Sequence, residues 1–106
     1  MDAMMNKISI DLWNEAVINL VDALLGAVSS NFRMVVLSDG GSDGWLLKFH
    51  LEDEDELDRE EISDVGSEFE VRYGSAVKYK IEIVIGAGDL PWAEAPSRVV
   101  YRRRES

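Results

Sequence analysis

Cysteine is absent from the 106 residues of the chain, so the protein cannot form a disulfide or a metal site built on thiolates. This absence is typical of a reducing compartment, and we expect a cytoplasmic protein. The sequence also lacks a run of about 20 apolar residues, the length that a membrane-spanning helix needs. Residues 1–7 contain no basic segment followed by an apolar one, so we expect no secretory signal.

Positive charge is scarce. Lys and Arg number 11 against 21 Asp and Glu, which gives a formal net charge of -10. Nucleic acids and anionic membranes are polyanions, and proteins bind them by neutralising phosphates with basic side chains. We therefore expect no direct nucleic-acid or membrane partner, and a basic protein surface is the better candidate.

Catalytic motifs are also missing. The sequence has no nucleophile-elbow motif, P-loop or dinucleotide fingerprint, and its single histidine is His50. We expect no enzyme activity, no cofactor and no metal ion, and we interpret His50 as an ordinary surface histidine on the polar side of a strand. The glycine-rich segment 39–44 is read as a hairpin turn rather than a calcium loop. A small enzyme that uses His50 with carboxylates stays open as an alternative.

The most periodic segment of the chain is residues 9–30, which we predict to be a long first helix capped by Ser9 or Asp11. Its apolar residues recur at intervals of three and four and are expected to form one buried side. They are Trp13, Val17, Leu20, Val21, Leu24, Leu25 and Val28.

Further elements follow from changes of period. Strands are predicted at 32–37, 45–51, 77–85 and 98–104, and a loop at 86–97. A second helix is predicted from about Arg59 to Tyr73, because Asp58 and Glu61 have the spacing of a capping box at its start. A strand is the alternative for 68–73. In the second strand, Trp45 is in phase with the core residues. The order of these elements along the chain predicts an α+β fold in which two helices pack on one face of a mostly antiparallel four-stranded sheet. We expect one domain over 1–106, with 1–7 as a candidate disordered segment and 102–106 as a frayed tail.

Negative charge is concentrated in residues 52–70, which hold eleven carboxylates against the single cation Arg59. Blocks of like charge repel one another, so such a block suggests a field that attracts a cationic partner. A solvated surface that aids solubility is the alternative. The predicted partner-binding residues are Glu52, Asp53, Glu54, Asp55, Glu56, Asp58, Glu60, Glu61 and Asp64, with Glu68 as a further candidate and Trp92 as an apolar anchor.

Four stretches give the sequence a family likeness: residues 44–47, the acidic run into 58–62, 90–92 and 98–103. With the small size, the absence of cysteine and the long first helix, the chain resembles the immunity proteins of bacterial polymorphic toxin systems, including contact-dependent growth inhibition. The resemblance implies a non-enzymatic protein that binds one toxin domain in the same cytoplasm. Many such toxins are nucleases with basic substrate channels. An adaptor, or a subunit that forms a homodimer through an uncovered apolar sheet face, stays open as the alternative.

Overall fold

A computed structural model describes residues 8–74 and 76–105. The expected disorder of residues 1–7 lies outside the described residues. These residues form two helices and four strands, in the order α1 (Ile10–Leu24), β1 (Phe32–Asp39), β2 (Trp45–Leu51), α2 (Glu56–Arg72), β3 (Tyr79–Ile85) and β4 (Arg98–Arg102). A short 3-10 turn that was not predicted, Gly41–Asp43, joins β1 to β2.

Helix α1 starts where the sequence predicts and ends earlier. The Ser9 hydroxyl accepts a hydrogen bond from the Leu12 amide at 3.2 Å and caps the first turn. Trp13 and Leu20 are buried as expected, but Val21 is 39% exposed and Leu25 is 75% exposed. The prediction that these two belong to the buried side is wrong: Leu25 lies beyond the end of the helix at Leu24, and Val21 lies within the helix at the margin of its buried side.

Strands β1 and β2 form the predicted antiparallel hairpin, with Asp39 opposite Trp45 at its closed end. Gly44 has φ +87°, a conformation that L side chains rarely adopt. A Cβ at this position would also lie 2.1 Å from the Lys78 carbonyl oxygen. Glycine is therefore required where the hairpin turn passes the start of β3.

The sheet is mixed rather than mostly antiparallel, which corrects the predicted topology. Its strand order is β3-β2-β1-β4, in which β2 and β3 run parallel while β1 is antiparallel to both of its neighbours. Two adjacent parallel strands need a long crossover connection, and α2 supplies it. Consequently β3 and β4 do not form a hairpin and lie at opposite edges of the sheet.

Helix α2 is longer at its start than predicted. Its N-cap is Asp55, whose carboxylate accepts from the Asp58 amide at 2.9 Å, so the cap lies three residues before the predicted one. The strand alternative for 68–73 is wrong, because these residues continue the helix to Arg72. Gly66 faces β3, and a Cβ there would lie 2.8 Å from the Ile81 side chain. The glycine thus lowers helix propensity but allows α2 to approach the sheet closely.

Both helices pack on one face of the sheet, where their apolar sides meet alternate residues of the strands. The core contains aromatic pairs in edge-to-face geometry, including Trp13 with Trp45 at 5.0 Å between ring centroids and Phe69 with Tyr79 at 6.0 Å. Trp45 is buried, as its phase in β2 predicts. Of the described helices, neither has the length and hydrophobicity that crossing a membrane would require.

The C-terminal segment is tied to the sheet by ion pairs. Glu105 accepts hydrogen bonds from the Arg33 guanidinium, the shorter at 2.8 Å, and lies 3.0 Å from Arg103. The hydrogen bond from Arg33, opposed in part by desolvation and aided by Arg103, lowers the pKa of Glu105 to about 2. Arg33 also donates to the Gly86 carbonyl at 2.8 Å. One buried arginine therefore holds the chain end and the start of the loop that follows β3.

The lowered pKa makes this contact sensitive to acid. A carboxyl group whose pKa is lower in the folded than in the unfolded state stabilises the fold above the unfolded value. Its contribution is lost as the pH falls through the folded pKa, so the loss should run from about pH 4.5 to about pH 2. We expect Glu105→Gln to lose less stability than the wild type across this interval, as measured by urea unfolding at a series of pH values. If the free energy of unfolding changes with pH by the same amount in the two proteins, the Arg33 contact does not stabilise the fold.

Candidate partner-binding surface

The first part of the acidic segment is used by the fold itself. Glu52 forms an ion pair with Arg103 at 2.9 Å. Glu54 pairs with Arg59 of α2, and the second contact of that pair is 2.8 Å long. The hydrogen bond from Arg59 holds the pKa of Glu54 below its usual range. Two of the predicted binding carboxylates therefore already have cationic partners within the chain.

Asn31 fixes two further members of the segment. Its side-chain oxygen accepts from the Asp53 amide at 2.9 Å, and its side-chain nitrogen donates to the Asp53 carbonyl at 2.7 Å and to the Asp58 carboxylate at 2.9 Å. Asp58 is only 6% exposed. Together with the Asp55 cap, these contacts attach the start of α2 to the end of the α1–β1 loop. We conclude that Asp53, Asp55 and Asp58 position the helix.

The carboxylates that remain available lie on the outer surface of α2. Among the described residues, the exposed acidic side chains of this helix for which the structure shows no ion pair are Glu56, Glu60, Glu61, Asp64 and Glu70. Glu68 is exposed and lies 3.8 Å from Arg72, one helical turn further on. An exposed pair at this distance contributes little to stability and leaves the carboxylate accessible. The structure thus brings Glu56, Glu60, Glu61 and Asp64 of the predicted set together on one helix.

Some of these carboxylates form a line along α2 that begins and ends with an apolar side chain. The line is spaced by four, three, four and three residues, which keeps its members on one side of a helix. Leu57 at one end is 72% exposed and Val71 at the other is 70% exposed. We call this set the α2 stripe, and its members are Leu57, Glu61, Asp64, Glu68 and Val71. Single exposed apolar side chains are common on protein surfaces, so it is their combination with three carboxylates in one line that makes the stripe a candidate binding surface.

The α2 stripe borders a groove beside the end of α1. The groove has a volume of about 190 Å³, and its walls are Glu61, Asp64 and Glu68 on one side and residues 25–27 on the other. Leu25 adds a third exposed apolar side chain to this region. A cationic side chain of a partner entering this groove would meet three carboxylates and an apolar wall. Arg72, 3.5 Å from Asp22, adds one basic group near the C-terminal end of α2.

Trp92 lies on the other side of the molecule. It is 67% exposed and is stacked under the Arg102 guanidinium, 4.2 Å from the ring centroid. Together with Met34 and His50 it lines a cleft on the sheet face opposite the helices. The predicted anchor and the α2 stripe therefore occupy opposite faces of the sheet and cannot form one compact patch.

His50 is buried rather than exposed, which corrects its interpretation as a surface histidine. It is 8% exposed and lines the cleft beneath the loop 86–97. Burial lowers the pKa of His50, and repulsion from Lys48 and Arg33 lowers it further, while Glu82 raises it more weakly. These surroundings, dominated by cations, disfavour protonation of His50. The enzyme alternative expected a closed acidic pocket around this residue, and the structure shows a different setting.

Two apolar side chains of this sheet face are covered, while Leu46 and Val84 on the same face are covered in part. Met34 is 1% exposed and Val36 is 3% exposed, and both lie next to residues 91–93 of the loop. The uncovered sheet face on which the homodimer alternative depended is therefore not present at these residues.

Three functional candidates were missed by reasoning from the sequence: Leu25, Leu57 and Val71. The signal for the last two was present, because both fall on the opposite side of the helical period from Ile62 and Phe69. Leu25 could not be recognised in this way, since its exposure follows from the early end of α1.

The fold and surface described so far define a small, acidic α+β domain with a charged, partly apolar helix surface. A comparison with protein families gives the class directly: residues 14–105 match the model described as MafI2 immunity protein. No match was found among curated individual proteins. Because the match spans most of the chain, the protein belongs to the MafI2 immunity protein family, and the predicted relation to immunity proteins of polymorphic toxins is confirmed. Membership of this family implies a cognate toxin as partner.

Proposed function

We propose that the protein neutralises its cognate toxin domain by docking the α2 stripe on a basic surface of that domain. The observation that carries the proposal is the composition of the stripe, in which Glu61, Asp64 and Glu68 stand between exposed Leu57 and Val71. Family membership supports the existence of a toxin partner, and the net charge of -10 supports a basic one. Glu56 and Glu60 lie on the same helix and extend the negative field around the stripe.

The two kinds of side chain have separate roles in this proposal. The carboxylates steer the encounter, because complementary charge raises association rates well above those of neutral surfaces. The apolar ends bury further surface once the complex has formed and thereby slow its dissociation. Trp92 takes no part in this interface because it lies on the opposite sheet face.

We further propose that the toxin domain is a nuclease. A nuclease must bind phosphates and therefore has a basic substrate channel. A row of carboxylates along a helix presents negative charge at regular intervals, as a nucleic-acid backbone does, and so suits such a channel. In this proposal both proteins meet in the cytoplasm, and the immunity protein binds neither nucleic acid nor membrane directly.

The proposal predicts that association with the toxin domain is sensitive to salt. Stopped-flow or surface-based kinetics between about 50 mM and 500 mM NaCl should show an association rate that falls by about tenfold or more, because salt screens charges separated by more than about 10 Å. The dissociation rate should change much less, since it depends on the buried apolar contacts. An association rate that is independent of salt would contradict electrostatic docking.

A nuclease assay tests separately the proposal that the toxin domain is a nuclease. The cognate toxin domain is incubated with labelled RNA and DNA, with and without the immunity protein. Degradation that stops when the immunity protein is added in equal amount would support a nuclease target. If the toxin binds tightly but degrades neither substrate, the nuclease proposal fails while the docking proposal stands.

A further inference from the structure

The outer edge of β3 is a sheet edge that has no pairing strand within the described residues. Strand β3 stands at one end of the sheet order, and within residues 8–74 and 76–105 its pairing partner is β2. It spans seven residues without proline and keeps a regular register with β2 from Trp45 opposite Tyr79 to Leu51 opposite Ile85. A regular, mainly apolar edge of this kind favours pairing with another strand. The other edge, β4, is shorter, has a bulge against β1, and carries an arginine at each end.

The hydrogen bonds to β2 show which backbone groups of β3 point outward. The Trp45 amide donates to the Lys78 carbonyl at 3.0 Å, and the Gly86 amide donates to the Leu51 carbonyl at 3.0 Å. In a parallel ladder this pattern places the amides and carbonyls of every second residue toward β2. The groups that point away from the sheet therefore belong to the intervening residues, which are Tyr79, Ile81, Ile83 and Ile85.

The same four residues have side chains that the monomer covers only in part. Tyr79, Ile81 and Ile83 are intermediate in exposure and pack against the margin of the core, and Ile85 is 39% exposed. Gly66 of α2 is in close contact with Ile81, so the helix adds no bulk above this row. A strand added at the edge would complete both the hydrogen bonds and the apolar cover.

The charged residues of β3 determine the register in which a second copy of β3 can pair with it. When β3 is placed antiparallel to a second β3, residues with outward backbone groups must face each other, which leaves few registers. Centring the pair on Glu82 would set Glu82 against Glu82, and centring it on Lys80 would set Lys80 against Lys80. Centring it on Ile81 places Lys80 of each copy opposite Glu82 of the other. Opposite charges directly across a ladder stabilise the pairing, and like charges destabilise it.

We propose that two copies of this chain pair through the outer edges of β3, antiparallel and centred on Ile81, to form a continuous eight-stranded sheet. Ile81 then faces Ile81 of the second copy and Tyr79 faces Ile83 on the helix side, while two Lys80–Glu82 pairs form on the other side. The α2 stripe lies outside this dimer interface, because the stripe borders the α1 groove whereas the side of α2 that contains Gly66 borders β3. The dimer is therefore independent of toxin binding, and either proposal can fail without the other.

Sedimentation velocity of the full chain without toxin, over a concentration series, tests the dimer. We expect the wild type to dimerise, and Lys80→Glu and Glu82→Lys each to weaken the dimer by about tenfold or more, because each replaces two attractive pairs by two repulsive ones. An equimolar mixture of the two single variants should recover a dimer, since two carboxylates of one variant then face two ammonium groups of the other. Glu60→Lys, which reverses one charge on α2, is the matched control and should dimerise as the wild type does.

Glu82 also lies opposite Lys48 within the chain, so its reversal adds a repulsion inside the monomer. If Glu82→Lys does not fold, the triple exchange Lys48→Glu, Lys80→Glu and Glu82→Lys decides the question, because it keeps complementary charges both toward the second copy and opposite position 48. A folded triple variant that dimerises supports the proposal, and one that stays monomeric overturns it. A wild type that stays monomeric at all concentrations, or folded single variants that dimerise as tightly as the wild type, also overturns it.

Discussion

Reversing the charge of Glu61 and Asp64 together, as Glu61→Lys with Asp64→Lys, is expected to weaken binding of the toxin domain by about 100-fold. Both side chains are exposed and face the groove beside α1, where like charge would oppose a basic partner. The loss should appear mainly as slower association, since steering depends on long-range charge. Titration calorimetry gives the affinity, and stopped-flow mixing gives the rate.

The matched control for this variant is Asp89→Lys with Glu94→Lys. It makes the same change in net charge at two exposed residues of the loop 86–97, away from α2. We expect the control to reduce affinity by less than about threefold, because only the overall charge has changed. Equal losses in the two variants would show that net charge, rather than the α2 stripe, governs binding.

The largest expected effect on stability comes from Phe69→Ala, which should lower the free energy of unfolding by about 3–5 kcal/mol. Phe69 is fully buried on the inner side of α2, with its ring centroid 5.2 Å from that of Tyr73 and 6.0 Å from that of Tyr79. Removing the ring leaves a cavity between α2 and β3 and also removes two edge-to-face contacts. Urea unfolding followed by tryptophan fluorescence measures the change.

Leu57→Ala is the control for this substitution on the same helix. Leu57 is 72% exposed, so its truncation removes little buried surface and should change stability by no more than about 0.5 kcal/mol. The same variant should weaken toxin binding, because Leu57 is an apolar end of the α2 stripe. A loss below about 1 kcal/mol for Phe69→Ala would contradict the placement of α2 against β3.

Local patterns predicted the elements well, because each depends on residues close in sequence. The helical period around Trp13 and Leu20, the alternation in β2 and the glycine-rich turn that ends at Gly44 all gave elements of the predicted type. The arrangement of β3 and β4 could not be obtained in this way. Whether β3 pairs with β4 or crosses over to β2 depends on contacts made by α2, including the close approach at Gly66.

The candidate binding surface was predictable only in outline for a related reason. The concentration of carboxylates is visible in the sequence, but their partners are distant along the chain. Asn31 hydrogen-bonds to Asp58 across 27 positions, and Glu52 pairs with Arg103 near the C-terminus. Such contacts separate the carboxylates that build the fold from those left for a partner. Trp92 was grouped with the acidic set because nothing local shows that its loop crosses the opposite face of the sheet.

The most direct test of toxin docking is a crystal structure of the immunity protein bound to its toxin domain. The quantity to measure is the solvent-accessible surface that three side chains keep in the complex. We predict that Glu61, Asp64 and Glu68 are buried against lysines or arginines of the toxin, with Leu57 and Val71 in contact at the margins. A complex in which these residues remain exposed to solvent, and in which the toxin covers the Trp92 cleft instead, would contradict the account.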